Sequence, residues 1–182
     1  MQLAHDDGFR KPEDEPQADY VVWDASARDQ STYYLHGGLH LVDTGTEIQK
    51  LTWSNTGVAL IDQIQAGLSV DRYPLFVSEG SSQDKLKRIK HSEYLGRCLR
   101  SLREIQGVLF VYGLSMAEND EHILRQIEHG KVSHIVIGLY GDPRSATNRV
   151  IVRRAEQLGA KRPPRRPLSV SFFNSESAGV WR

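Results

Sequence analysis

The residues with chemical potential in this 182-residue chain are few, and they fall in two places. His36 precedes the pair Gly37-Gly38, and His40 follows four positions after the first histidine. On a helix that spacing would make a metal pair, but two glycines argue against a helix, so no metal is assigned. An imidazole at a strand end beside residues without side chains is open to close approach by a ligand. Histidine titrates near neutrality and can take a proton from a sugar hydroxyl or orient one. The plain alternative is a hydrogen-bonded strand-end histidine. The second place is Val108 to Ile127. An apolar, β-branched and aromatic run, Val108 to Tyr112, lies between Gly107 and Gly113 and predicts a strand buried on both faces. The turn Gly113-Leu-Ser-Met116 and the polar Glu118-Asn-Asp-Glu121 lead into Ile123, Leu124 and Ile127 at helical spacing, with the acids suited to a helix start. Strand, small-residue turn and capped helix make half of a βαβ unit. Ligands collect at the carboxyl ends of such strands, where Gly113, Ser115, Asn119 and Asp120 would point. An ordinary turn above a core strand, with Asp120 and Glu121 as simple first-turn acids, is the other reading.

Several chemistries are absent from the pattern. There is no P-loop, zinc-protease helix motif, serine-hydrolase elbow or GxGxxG opening a first strand. Lys plus Arg equals Asp plus Glu at 23 each, so no net field draws the chain to nucleic acid or an anionic membrane. The single cysteine, Cys98, rules out an internal disulfide and sits on an apolar helical face, which predicts a core residue and a reducing compartment. No run reaches the roughly 20 apolar residues of a membrane span. The expectation is a soluble, cytoplasmic protein with neither a membrane nor nucleic acid as partner.

The elements that must position these residues follow from periodicity. Met1 to Ala18 is polar, with Pro12 and Pro16, and predicts a loop-like or disordered arm before one α/β domain over residues 19–182. Asp19 to Asp24, Thr32 to His36 and Leu39 to Val42 predict strands of a small β-rich module, with Glu47 to Trp53 a weaker one. Val58, Ile61, Ile64 and Leu68 predict a helix, Tyr73 to Val77 a strand, and Ser81-Ser-Gln-Asp84 a capping box. The helix this box opens carries Lys85, Lys87, Arg88 and Lys90, read as a solvated basic face or as an anion screen. Tyr94, Leu95, Cys98, Leu99, Leu102 and Ile105 form one long helical stripe. His134 to Tyr140 predicts a second apolar strand. Asp142-Pro143 is then the expected start of a helix carrying Val150 to Leu158. Lys161 to Pro167 reads as a surface linker, Leu168 to Phe173 as a last strand, and the chain closes on a short segment ending at Trp181. The fold class expected is α/β, with about three parallel strands in the C-terminal two-thirds behind the β-rich module.

Tyr34-Leu-His-Gly37, Ser78-Glu-Gly-Ser81, Tyr94-Leu95, Phe110-Val-Tyr-Gly-Leu-Ser115, Asn119-Asp-Glu-His-Ile123 and Tyr140-Gly-Asp142 occur in that order. In order and spacing, from about Tyr33 onward, they resemble a bacterial family of uncharacterised sirtuin-like domains. The resemblance implies a three-layer, Rossmann-like fold that binds NAD or an ADP-ribose-like nucleotide. It implies a hydrolase-type cleavage of the nicotinamide–ribose bond, with His36, beside Gly37, as the catalytic base or the residue that orients the ribose. Gly113 and Ser115 would line the phosphate and ribose. Asn119 and Asp120 match the polar helix start of the relatives, and the strand ends from Gly138 to Asp142, Gly141 and Asp142 included, with Asn174 to Ser177, would flank the adenosine.

Such domains carry, ahead of the histidine, a half with a glycine-rich loop that this chain lacks. The resemblance therefore implies a C-terminal portion that is inactive or incomplete until joined by an N-terminal half or a second copy. The contrasting expectation is a non-catalytic protein-interaction module that keeps the frame and offers an unpaired sheet edge.

Overall fold

The computed structural model describes residues 5–180; the first four residues of the expected arm, and Trp181, lie outside the described residues. In chain order the elements are β1 (Phe9–Arg10), β2 (Tyr20–Trp23), β3 (Gly37–Asp43), β4 (Ile48–Leu51), α1 (Trp53–Thr56), α2 (Leu60–Leu68) and β5 (Pro74–Phe76). They continue as α3 (Ser82–His91), α4 (Glu93–Ser101), β6 (Gln106–Val111), α5 (Glu121–His129), β7 (Lys131–Leu139), α6 (Ala146–Ala160) and β8 (Ser169–Asn174). The chain divides into two compact units, Met1–Glu79 with Arg88–Cys98, and Gly80–Lys87 with Leu99–Arg182. The architecture is mixed α/β, an antiparallel sheet in the first unit and a separate parallel sheet in the second. No helix of the described residues is long and apolar enough to cross a membrane.

In the first unit five strands run in the order β1-β2-β4-β3-β5, every pair antiparallel. Where a loop-like arm was expected, Phe9–Arg10 pair with Trp23 and Val22 because Phe9 has an apolar place to go. It is buried and meets the Tyr94 ring edge-on at 5.4 Å, while Trp23 meets the same ring at 5.3 Å. The Tyr94 hydroxyl accepts from the Tyr34 N–H, so one fully buried phenol organises three segments. Arg97 donates to the Ala27 carbonyl at 2.6 Å and lies over the Trp23 ring. The expected strand from Thr32 to His36 does not form; Gly37 donates back to the Tyr34 carbonyl and the chain turns there. Gly37 itself is at φ 74°, and a Cβ on it would lie 1.9 Å from the Leu75 carbonyl oxygen, so only glycine fits.

Helix α2 forms where the stripe predicts it, yet none of its residues is buried. Leu60, Ile61 and Leu68 stay 38, 56 and 44% exposed. Full burial of such side chains contributes roughly 1.5–3 kcal/mol each, and α2 collects little of that.

In the second unit β6, β7 and β8 lie side by side, both pairs parallel. Ile135, Ile137 and Leu139 alternate along β7 and are buried, as are Val132 before the register shift, Ile123, Leu124 and Ile127 of α5, and Ile151, Ala155 and Leu158 of α6. Arg154 on α6 bonds Glu121 on α5 at 3.0 Å. The expectation of a strand buried on both faces is corrected for β6. It is an edge strand paired with β7 alone, and Val108 and Phe110 are 49 and 70% exposed. The apolar run that suggested double burial places alternate residues on opposite faces, and one of those faces is open.

Lys161 to Pro167 is non-helical beyond its first residues, but it is not merely a surface linker. Arg162 is buried, and its guanidinium donates to the carbonyls of Glu128, Gly130 and Val132 at 2.7 Å, of Arg166 at 3.1 Å and of Ile127 at 3.2 Å. It thereby satisfies carbonyls left over at the end of α5 and at the start of β7. Burial, and after it the neighbouring Arg166 charge, pull its pKa below the ordinary arginine value. Arg162→Met should cost about 3 kcal/mol by orphaning these acceptors, and Arg162→Lys should recover only part of it. Urea unfolding midpoints of the three proteins measure this, and a midpoint unchanged in the methionine variant would contradict it.

Candidate functional site

The carboxyl ends of the three parallel strands open into a cavity of about 500 Å³. Its lining comes from the loop after β6 (Tyr112, Gly113, Leu114, Ser115), from Gly138 and Tyr140 at the end of β7, from Ser145, Thr147, Asn148 and Ile151 at the start of α6, and from Ser175 after β8. Cavities of this size suit small organic ligands. No lining side chain carries a formal charge: the polar ones are hydroxyls and one amide, the others tyrosines and aliphatics.

Local structure explains why the cavity stays open. Gly113 holds φ 74° and Met116 φ 53°, so the chain after β6 turns through two left-handed residues. Met116 pays the steric strain of that conformation while fully buried, which pins the loop to the core beneath it. On β7, a Cβ at Gly138 would lie 2.5 Å from the Ser175 hydroxyl and 3.0 Å from the Phe173 ring, so glycine there keeps Ser175 at the cavity wall. The expected cap at Asp142-Pro143 is corrected: Ser145 is the N-cap of α6, its hydroxyl accepting from the Asn148 N–H at 3.2 Å. Asp142 instead builds the turn before it, accepting from the Arg144 and Ser145 N–H groups.

Of the residues singled out by sequence in this unit, Gly113 and Ser115 line the cavity. Asn119 and Asp120 do not. Asn119 is exposed on a 3₁₀ turn, and Asp120 ends that turn in a 3.0 Å ion pair with Lys85. Gly141 lines an adjoining hollow with Pro143, Val152 and Phe172. Lys85, first of the basic run, is not a solvated cation, because its side chain is 5% exposed and committed to Asp120. The remaining box is as expected, Ser81 and Asp84 bonding each other reciprocally at the start of α3. Next to this pair, Ser82 accepts from the His122 N–H at 2.8 Å and meets its Nδ1 at 3.1 Å, which ties α3 to α5. Gly138 and Tyr140, within the strand end expected beside the nucleotide, and Ser175 also line the cavity, whereas sequence reasoning passed over Asn148 altogether. The signal for Asn148 was its place three residues after a serine at a helix start.

In the first unit His36 occupies the turn before β3, half-buried, its carbonyl accepting from the Val77 N–H at 2.8 Å. Gly37 is pressed against β5 as described. His40 stands on β3 with its ring edge-on to Tyr34 at 5.0 Å. Burial first, and the nearby Lys50 charge second, hold the His40 pKa below the ordinary histidine value, with Asp7 opposing.

The profile of a family described as a domain of unknown function (DUF4917) matches residues 1–181. No curated protein and no solved structure matches the chain.

A neutral His40 gives the fold a pH dependence with a definite sign. The unfolded chain protonates this ring near pH 6.5, whereas the folded one resists until lower pH, so stability falls as pH drops from about 6.5 toward the folded pKa. Chemical unfolding between pH 7.5 and 5 should show this loss, and His40→Gln should flatten it relative to the parent protein. An identical pH slope in the two proteins would refute it.

Proposed function

The chain belongs to the DUF4917 family over nearly all its length, and we propose that its second unit is a Rossmann-like domain that binds NAD or an ADP-ribose-like nucleotide. The observation that carries this reading is the cavity of about 500 Å³ at the carboxyl ends of β6, β7 and β8. Open α/β sheets gather nucleotides at that end of their strands. Helix α6, 15 residues long, begins at the same cavity, with Ser145 and Thr147 in its lining; the Asn148 N–H is taken by the Ser145 hydroxyl, which leaves the Ala146 and Thr147 N–H groups without intrahelical acceptors, a setting suited to an anionic phosphate. Gly113 and Ser115, the turn that resembles the sirtuin-like pattern, line the same cavity. An uncharged, hydroxyl-rich lining with two tyrosines suits a ribose and a flat base better than a metal ion or a nucleic-acid backbone.

The same likeness assigns His36 as the group that takes a proton during cleavage of the nicotinamide–ribose bond, with water as acceptor. The exposed edge of β6, with Val108 and Phe110 outward, favours a second reading as a non-catalytic interaction module that associates through that edge.

Titration calorimetry with NAD and ADP-ribose separates the two. The nucleotide reading expects saturable binding of both. Ser115→Ala should weaken it about tenfold, the worth of one hydrogen bond, and His36→Ala should abolish nicotinamide release while ADP-ribose affinity persists. If neither nucleotide binds and the protein self-associates in sedimentation, the interaction module replaces it.

A further inference from the structure

Within the nucleotide reading, on which this step rests, we infer that the cavity takes the adenine base and that Asn148 selects it. Asn148 is 4% exposed and stands in the first turn of α6. Its side-chain amide has two N–H donors and one oxygen acceptor. Nδ2 donates to the Tyr140 carbonyl at 2.9 Å and to the Asp142 carbonyl at 2.8 Å, which uses both hydrogens. Rotating the amide by half a turn would set Oδ1 against those two carbonyl oxygens. The neighbours therefore dictate which way the amide points. Oδ1 has no hydrogen-bond partner among the described residues, and it is not sealed from solvent. An almost buried side chain that lines the cavity thus presents a fixed, unsatisfied acceptor.

That acceptor differs in kind from the other polar groups around it. Ser115, Ser145, Thr147 and Ser175 carry hydroxyls that can turn to donate or accept, so they do not discriminate between ligand groups. Oδ1 of Asn148 can only accept, and it cannot turn away without breaking two bonds. Whatever sits against it must bring an N–H or O–H. Tyr112, Tyr140, Leu114 and Ile151 supply apolar contact for a flat ring, and no charged side chain is present to receive an ionised group. A neutral heteroaromatic ring with an exocyclic amine meets these demands, and adenine with its 6-amino group is that ring within an ADP-ribose-like ligand. A 6-oxo purine in the same pose would place an acceptor against an acceptor, which is costly.

The test uses three diphosphates on the full chain: adenosine, purine riboside and inosine diphosphate, which carry an amine, a hydrogen and an oxygen at position 6. The expected order of affinity is adenosine, then purine riboside, then inosine, with about tenfold or more between first and last. Asn148→Ala, checked for folding by its thermal transition, should compress that ratio toward one. Equal affinity for the three nucleotides in the parent protein overturns the role of Asn148 but leaves nucleotide binding standing. No binding of any of them overturns the nucleotide reading and this inference together.

Discussion

The parallel sheet of the second unit begins where one guanidinium says it begins. Arg162 collects the leftover carbonyl of Glu128, the Gly130 carbonyl between helix and strand and the Val132 carbonyl inside β7, and adds a second donor to the Ile127 carbonyl, which already accepts from the Gly130 N–H. A helix must end with acceptors unpaired, and a strand that follows within two residues would ordinarily bring the chain through water to satisfy them. Here a buried cation supplies the donors, so α5 can turn straight into β7. Arg166 adds a second donor to Gly130 at 2.6 Å. With the start of β7 settled, the parallel register carries its far end to Gly138 and Tyr140 beside the loop after β6 and the chain after β8. The cavity is formed at the opposite end of the ladder from the residue that anchors it.

The periodic elements were legible because the spacing of apolar residues along the chain is itself local. Helices α2, α3 and α6 and strands β2, β3, β7 and β8 lie close to where spacing predicts them, and Cys98 is buried as its helical face implies. What escaped was set by partners distant in sequence. Phe9 belongs to an otherwise polar arm and becomes a strand residue through a tyrosine 85 positions away. Lys85 reads as one of four surface cations until Asp120 is placed beside it. Arg162 sits among prolines and other arginines, and nothing in that composition distinguishes the one that goes inside. The run Val108 to Tyr112 misled in the other direction, since residue types suited to a doubly covered strand occur on an edge.

The site divides in the same way. Gly113 and Ser115 were visible as a small-residue corner after a strand, and they do line the cavity. Asn119 and Asp120 were visible as a helix start; Asp120 stands at the N-cap of α5 without a side-chain capping bond and pairs with Lys85 instead, and Asn119 is exposed beside it, so neither is cavity wall. Asn148 was invisible because its importance lies in which hydrogens are already spent, a property of the folded turn and not of the residue type.

The single thiol has a practical side. Cys98 is fully buried, and its burial raises its pKa to about 11, so the folded chain presents neither access nor thiolate to an alkylating reagent at neutral pH. Labelling can then proceed only from molecules that have transiently opened around α4. With one sulfhydryl in the whole chain, the protein carries its own clock for that opening, readable by mass without introducing any probe.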